Sequence, residues 1–365
     1  MSRSRKYLGY LLNPLELLRT QKVLHVNPTV APQRREPDFT KIYVYDYNNE
    51  ESSEKSLDKA DDCFSYLHSG KITWINMDGL RKADVEKVCN QYGIHPLIQE
   101  DILSLGQRPK MDEIEGIVFC LMSMLYWNDE QSAVESEQIS IVLGRGFVIS
   151  FQEDASRDVF NPLREKLKLR TSKIRQSNAD YLFYNLIDLI VDNYYVVMEK
   201  LGERIESLEE DIIRSADTRA LGKINTMRKE MIVLKRSIAP VRELVNGILR
   251  SESELIEERT EKYFKDVYDH IVQANDLAEN YRDMMMNLQD LYLSNVNLKM
   301  NEVMKVMAVV TCLLAPATVI GGIFGMNFDK NVNFFHQPWG FYTAITFMLL
   351  IPVWMIYVFK RRGWF

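Results

Sequence analysis

The chain holds 365 residues, 46% of them hydrophobic and 26% charged, with a formal net charge of -6. That leaves room for two domains and a sizeable core, and the acidic balance argues against nucleic acid as a partner. The cysteines (Cys63, Cys89, Cys120, Cys312) form no C-x-x-C pair and the histidines are scattered, which argues against a zinc site or disulfide framework and for a reducing compartment.

Residues 1–40 read as an N-terminal tail. "MSRSRKYLGYLLNPLELL" has a basic start and a short apolar stretch, loosely like a targeting signal, but Asn13, Pro14 and Glu16 interrupt it and no small-residue cleavage site follows. Residues 41–160 read as an α/β domain, an αβα arrangement on a mixed sheet. Strand character marks 41–47, 71–77, 116–127 and 137–151, the last as a hairpin turning at Gly144-Arg145-Gly146. Helices are expected over 82–93 and 95–105, and the charge run over 48–62 as a loop or helix start. No nucleophile elbow, phosphate loop or dinucleotide fingerprint occurs, so no enzymatic activity is expected.

Residues 161–250 read as a helical hairpin. The stretch 179–217 is amphipathic and ends acidic; 219–250 is basic in its middle and is expected to break at Pro240. Opposite charges on the two arms fit antiparallel helices, although solvated faces explain them equally well. Between Gly247 and Pro316 there is neither glycine nor proline. Residues 251–325 are therefore expected to form one long helix, on the order of 100 Å at 1.5 Å per residue.

One stripe of that helix, stepping alternately three and four residues, reads Asp266, Asp269, Gln273, Asp276, Asn280, Asp283, Asn287, Asp290, Ser294, Asn297 and Asn301. The same register continues as Met304, Ala308, Thr311, Ala315, Thr318, Gly322 and Gly325. Such a rhythm keeps one face toward a common axis when helices wind together. Phe264, Val267, Tyr268, Ile271, Leu277, Met284, Leu288 and Leu291 supply apolar packing beside it. A solvent-facing stripe is the alternative, but solvent faces mix lysine with acids and this one has none. The reading is a cation-attracting, water-filled axis.

The apolar residues concentrate at the end. "VMKVMAVVTCLLAPATVIGGIFGMNF" carries Lys305 as its only charge, and "WGFYTAITFMLLIPVWMIYVF" carries none. Each is long enough to cross a hydrocarbon core, which takes about 20 residues. The first span is placed at about 303–325 and the second at 339–359; 326–338 forms an outer loop and 360–365 a basic tail. Lys360, Arg361 and Arg362, by the positive-inside rule, keep both termini cytoplasmic. Two spans cannot enclose a conduit, so identical copies must surround it. Amide and carbonyl oxygens are hard ligands suited to magnesium or calcium, and an acidic vestibule concentrates cations.

At this point the chain resembles the CorA family of magnesium channels. The resemblance rests on Gly-Met-Asn after the first of two C-terminal spans, with "YFKDVYDH", "NEVMKVM", "APATVIGGIFGMNF", "HPLIQEDIL", "QRPKMDEIEGIVF", "ESEQIS" and "DYLFYNLIDLIVDNYY". It implies a homopentamer in the lipid bilayer of the cell inner membrane, with a funnel-shaped cytosolic part and a pore lined by the first span. Gly325, Met326 and Asn327 would form the outer selectivity ring. Asp290, Asn297, Asn301, Met304, Met307, Thr311, Ala315, Thr318 and Gly322 would line the pore, with Met304 and Met307 its constriction; Met307 lies one residue off the stripe. Glu100, Asp101, Asp188 and Asp266 would hold regulatory magnesium between subunits, closing the channel when magnesium is plentiful. The loop "FDKNVNFFHQPWG" departs from the family pattern: Asp329 is its only acid, which weakens recruitment at the outer mouth. Met326 points to the magnesium branch, with cobalt or nickel as side substrates. A zinc or other divalent-metal transporter, coupled to protons, is the alternative on the same scaffold, and a membrane-anchored scaffold protein is a third.

Overall fold

The computed structural model describes residues 36–37, 39–67, 69–154, 158–214, 218–326 and 338–364. They fall into two compact units. One comprises Met1–Leu201 with Glu230–Glu279, the other Gly202–Lys229 with Asn280–Phe365.

The first unit is built on a mixed seven-stranded sheet: β1 (Lys41–Tyr47), β2 (Ser52–Leu57), β3 (Ile72–Asp78), β4 (Lys110–Ile114), β5 (Ile117–Asn128), β6 (Ala133–Gly144) and β7 (Phe147–Gln152), in the order β2-β1-β3-β7-β6-β5-β4. Only β3 and β7 run parallel; every other neighbouring pair is antiparallel. Alternation along the strands divides the side chains between two faces. Ile42, Val44, Ile75, Met77, Phe119, Leu121, Val142, Ile149 and Phe151 pack beneath α1 (Lys82–Gln91) and α2 (Pro96–Leu103). On the opposite face Trp74 meets Phe160 edge-on, just before α3 (Asn161–Lys168). There too, Tyr194 of α4 (Ala179–Arg214) donates its hydroxyl to the Ser123 carbonyl at 2.7 Å. Helices on both faces of the sheet give the expected αβα layering. The β6–β7 hairpin turns where the sequence placed it, through Gly146 at φ 82°; the Phe147 ring fills the space where a side chain at Gly144 would stand.

Strands β2 and β4 were not expected. The charge run read as a loop or helix start over 48–62 contains β2, an edge strand whose serines and charges face solvent while its backbone pairs with β1. An edge strand has no second neighbour to bury it, so its sequence lacks the apolar alternation of the central strands. The hairpin partner of β5, β4, is disguised by the charges of "KMDEI".

Three long helices follow α3: α4, α5 (Thr218–Arg250) and α6 (Glu258–Phe324). Helix α5 is not broken at Pro240. A proline there forfeits one backbone hydrogen bond at a cost of about 3 kcal/mol, which burial of Ile238, Val241, Leu244 and Val245 beside it offsets. The long helix starts at Glu258 rather than at 251. Ser251 Oγ donates to Glu113 at 2.6 Å and accepts from the Ser253 amide, so the serines end α5 by offering the backbone another partner. The Glu257 amide then donates to Asp180 at 3.0 Å, fixing the entry to α6.

Along α6, Phe264, Val267, Ile271, Ala274, Ala278, Met285, Leu288 and Tyr292 are buried, which makes them, with Leu277 and Leu291 half-buried, the packed face. Tyr268 lies half-buried and Met284 is exposed, so the packed face is turned slightly from the expected one. In the second unit Lys223 of α5 pairs with Asp211 of α4 at 2.5 Å, the antiparallel charge contact anticipated from the sequence. The last helix is α7 (Pro338–Arg361). Residues 303–324 of α6 and most of α7 are apolar yet exposed, and both helices are long and apolar enough to cross a membrane.

Candidate functional site

The metal-ligand cluster among the described residues lies between α4 and α6. One ligand atom each from Asp188, Asp192 and His270 come within 4.8 Å of one another. Asp188 and Asp192 are four residues apart on α4, which puts both carboxylates on one helix face. His270 approaches from α6, held in place as Tyr195 donates its hydroxyl to the His270 carbonyl at 2.6 Å. Tyr184 donates to Asp188 Oδ2 at 3.0 Å. Burial, and next the Asp192 charge, push the Asp188 carboxyl above its ordinary value. Two like charges forced together favour the proton, or a cation that replaces it.

The residues suit a divalent cation. His270 Nδ1 is buried without a hydrogen-bond partner, while Nε2 stands 4.0 Å from Asp266 Oδ2. At that distance Asp266 makes no hydrogen bond to the ring but adds negative charge behind it. Of the residues expected to hold regulatory metal, the chain thus brings Asp188 and Asp266 to one place, Asp266 behind His270. Glu100 and Asp101 are on α2 and do not join them within the chain. Glu100 is exposed. Asp101 is paired with Lys110 at 2.5 Å, and Lys110 also lies 3.3 Å from Asp112. Asp192 and His270 were missed in the sequence. Their signal was the four-residue spacing in "DLIVD" and "DVYDH", which doubles each expected acid on the same helix face.

The stripe on α6 is exposed from Asp266 through Asp290, Asn297 and Asn301. At about 100° per residue it lies roughly opposite the packed face. Met304 and Met307 are 54% and 66% exposed, so neither is used in packing the chain itself. Thr311 and Thr318 donate their hydroxyls to the carbonyls of Met307 and Leu314, at 2.9 and 3.0 Å. With the proton committed to the helix, each oxygen presents only lone pairs outward. Ala315 and Gly322 are exposed, and no atom lies within 4 Å of the place a Gly322 side chain would take. The Gly325 amide closes the helix on Gly321 at 2.9 Å, and Met326 follows it exposed. Asn327 and most of the outer loop lie outside the described residues.

These features define a membrane protein with two apolar helices, one of which extends a polar, lysine-free face out of the apolar zone. The family model described as CorA-like Mg2+ transporter protein matches residues 69–361. The Cobalt/magnesium transport protein CorA of Thermotoga maritima is 36% identical over 348 residues, covering 95% of this chain and 98% of that protein. A putative metal ion transporter of Bacillus subtilis, YfjQ, is 27% identical over 80% of this chain and 89% of its own. Among solved structures, the complete CorA magnesium transporter from Methanocaldococcus jannaschii superposes with a TM-score of 0.72 at 21% identity, over 90% of this chain and 99% of that one. The chain belongs to the CorA-like Mg2+ transporter family.

Proposed function

We propose that this chain carries magnesium, and cobalt with it, across a membrane through a pore formed by a ring of identical copies. The observation that carries the reading is the α6 stripe: exposed oxygens without lysine, continuing in register into an apolar helix whose threonines turn lone pairs outward. The names of the relatives supply the ion. A ring of five, as the resemblance implies, turns Asp290, Asn297, Asn301, Thr311, Thr318 and Gly322 to a common axis, with Met304 and Met307 as the narrow apolar stretch. Gly325, Met326 and Asn327 hold the hydrated ion at the outer mouth. Nickel passes by the same chemistry, since hard oxygen ligands with retained water discriminate weakly among small divalent ions.

Transport runs down the potential. One charge moved through 100 mV is worth about 2.3 kcal/mol, so a divalent ion gains about twice that and needs no nucleotide or enzymatic step. Lys360 and Arg361 at the end of α7 support, by the positive-inside rule, a reading with both termini in the cytoplasm of an inner-membrane protein.

Cytosolic magnesium regulates the ring. A cation at Asp188, Asp192 and His270 ties α6 to α4, and Glu100 and Asp101 of one copy reach Asp266 of the next. When the cation leaves, the acids repel, α6 is released and Met304 and Met307 part. Flux into liposomes tests the transport reading. Magnesium uptake that follows the imposed potential supports it; uptake that follows a pH gradient at zero potential, or zinc in preference to magnesium, favours the proton-coupled zinc alternative; no flux of any metal leaves only the scaffold. For regulation, Asp101→Lys with Asp266→Lys yields a channel that internal magnesium no longer closes, and intact inhibition in that variant contradicts the regulatory part alone.

A further inference from the structure

A second cavity, which transport leaves unused, opens on the α3 side of the sheet. It measures about 330 Å³, at the small end of ligand pockets. Tyr43 and Tyr45 of β1 form one wall; Glu54 of β2, Asp78 of β3, and Asp158 and Arg164 around α3 form the rest. The guanidinium is only partly engaged, since Nε is buried without a hydrogen-bond partner. Arg164 pairs with Asp158 and lies over the rings of Tyr45 and Trp74, 5.9 and 5.6 Å from their centroids.

Two carboxylates remain. Glu54 accepts from the Tyr45 hydroxyl at 3.2 Å, with Lys168 4.0 Å away. Asp78 is 3% exposed and terminates a chain of buried donors: Trp74 Nε1 to Ser150 Oγ at 2.9 Å, Ser150 to Asn76 Oδ1 at 2.6 Å, Asn76 Nδ2 to Asp78 Oδ1 at 2.9 Å. Every link points toward Asp78, so the network supports negative charge there without supplying a cation. Lys41 faces Asp78 across β1, but its Nζ lies over the Phe39 ring at 5.8 Å. Glu153 and Asp154, past the end of β7, line an adjoining cavity that shares Asp78 and add further negative charge.

Gln152 adds a buried polar group next to Asp78. It stands directly across from Asp78 in the parallel β3–β7 register, hence on the same face, and is completely buried. Neither Oε1 nor Nε2 has a hydrogen-bond partner. Leaving a buried polar group unpaired costs about 1–3 kcal/mol, so this end of the sheet carries polar groups that its own packing leaves unsatisfied. Asp78 and Gln152 also end the two parallel strands, and sheets with parallel strands hold ligands beyond those carboxyl ends.

We propose that this cavity binds a linear organic polyamine, one ammonium seated on Asp78, another on Glu54, and the methylenes against Tyr43 and Tyr45. Glu54 is paired with Tyr45, and Asp78 with Lys41, so the two acids stand two strands and four residues apart. That is about 16 Å between Cα atoms, which the side chains shorten to roughly 10 Å, the reach of a triamine. A bare metal ion is a poorer match. Among the described residues these carboxylates form no three-ligand cluster, and aromatic walls favour a weakly hydrated organic cation.

The test is calorimetric titration of spermidine into the full-length protein in detergent, in excess magnesium chloride so that divalent sites are filled. Asp78→Asn, which keeps an acceptor for Asn76, weakens binding about tenfold or more, the equivalent of one lost charge pair of about 1.4 kcal/mol. Glu54→Gln, on an exposed edge strand, weakens spermidine but leaves propylamine unchanged. Burial and the Asp158 charge push Asp78 up to about 6, so wild-type affinity falls about tenfold per pH unit below that point and the Asp78→Asn variant loses this dependence. Absence of binding, wild-type affinity retained in both variants, or displacement of spermidine by magnesium at this cavity overturns the proposal.

Discussion

Asp192→Asn is the most informative single change, because it separates charge repulsion from metal binding in one residue. Asp188 and Asp192 offer oxygens within 4.8 Å of each other. At that separation and an effective dielectric of 20, two unit charges repel by about 3.5 kcal/mol. Asp192 is exposed, so solvent screening reduces the net effect to about 1 kcal/mol. Without metal, removal of its charge stabilises the fold, raising the melting temperature by about 1–2 °C for a chain of this size. With cobalt at about a hundred times its dissociation constant, the wild type gains about 2.7 kcal/mol, and a variant short of one ligand gains less than half as much. Thermal unfolding of the detergent-solubilised protein in chelator and in cobalt chloride reads both effects. A variant that melts lower in chelator, or keeps the full cobalt shift, refutes the cluster as a metal site.

Two further predictions concern the first unit. Glu137 is 6% exposed and accepts from the amides of Glu153 and Asp154 and from Tyr126, yet burial outweighs those donors and pushes it up to about 7. The fold therefore holds a proton that the unfolded chain releases near its ordinary 4.5; stability falls between these two values by at most about 3 kcal/mol as pH rises, and Glu137→Gln flattens that decline in denaturant titrations across the range. Gly79 has φ 83°, and a side chain there would stand 2.8 Å from the Phe39 carbonyl, so Gly79→Ala costs about 2 kcal/mol or more. Gly93, at φ 68° with open space around it, costs only about 1 kcal/mol when changed to alanine, and the two melting curves side by side check the difference.

What the sequence disclosed followed how strongly local pattern dictates structure. The central strands, the β6–β7 hairpin and the two apolar helices carry periodic hydrophobicity that has few alternatives. Strands β2 and β4 hold their place by backbone pairing at the sheet margin, where side chains are free to be charged, so no pattern marked them. The Ser251 side chain, bonded to Glu113 and to the Ser253 amide, ended a helix that an inventory of glycine and proline had left unbroken. The stripe was legible because its rhythm is local to one helix. The metal cluster was legible only by halves. Each helix showed its own pair of ligands at four-residue spacing, but only the packing of α4 on α6, through contacts such as Phe183 with Phe264, brings the pairs together. Asp101 was read as a regulatory metal ligand with no partner in its own chain, because nothing in the sequence links it to Lys110 on β4.

The claim that the polar edge of α6 faces a shared wet axis is tested most directly with paired cysteines. Asn301 is on the stripe and Val303, two residues on, points about 160° away at nearly the same depth; both are exposed in the chain. In a Cys312→Ser background, since Cys312 is the exposed native thiol among the four, a positively charged thiol reagent added to the side of the cytosolic domain should abolish potential-driven magnesium flux through Asn301→Cys and leave Val303→Cys conducting. Equal sensitivity of the two, or block at Val303→Cys alone, would contradict the account.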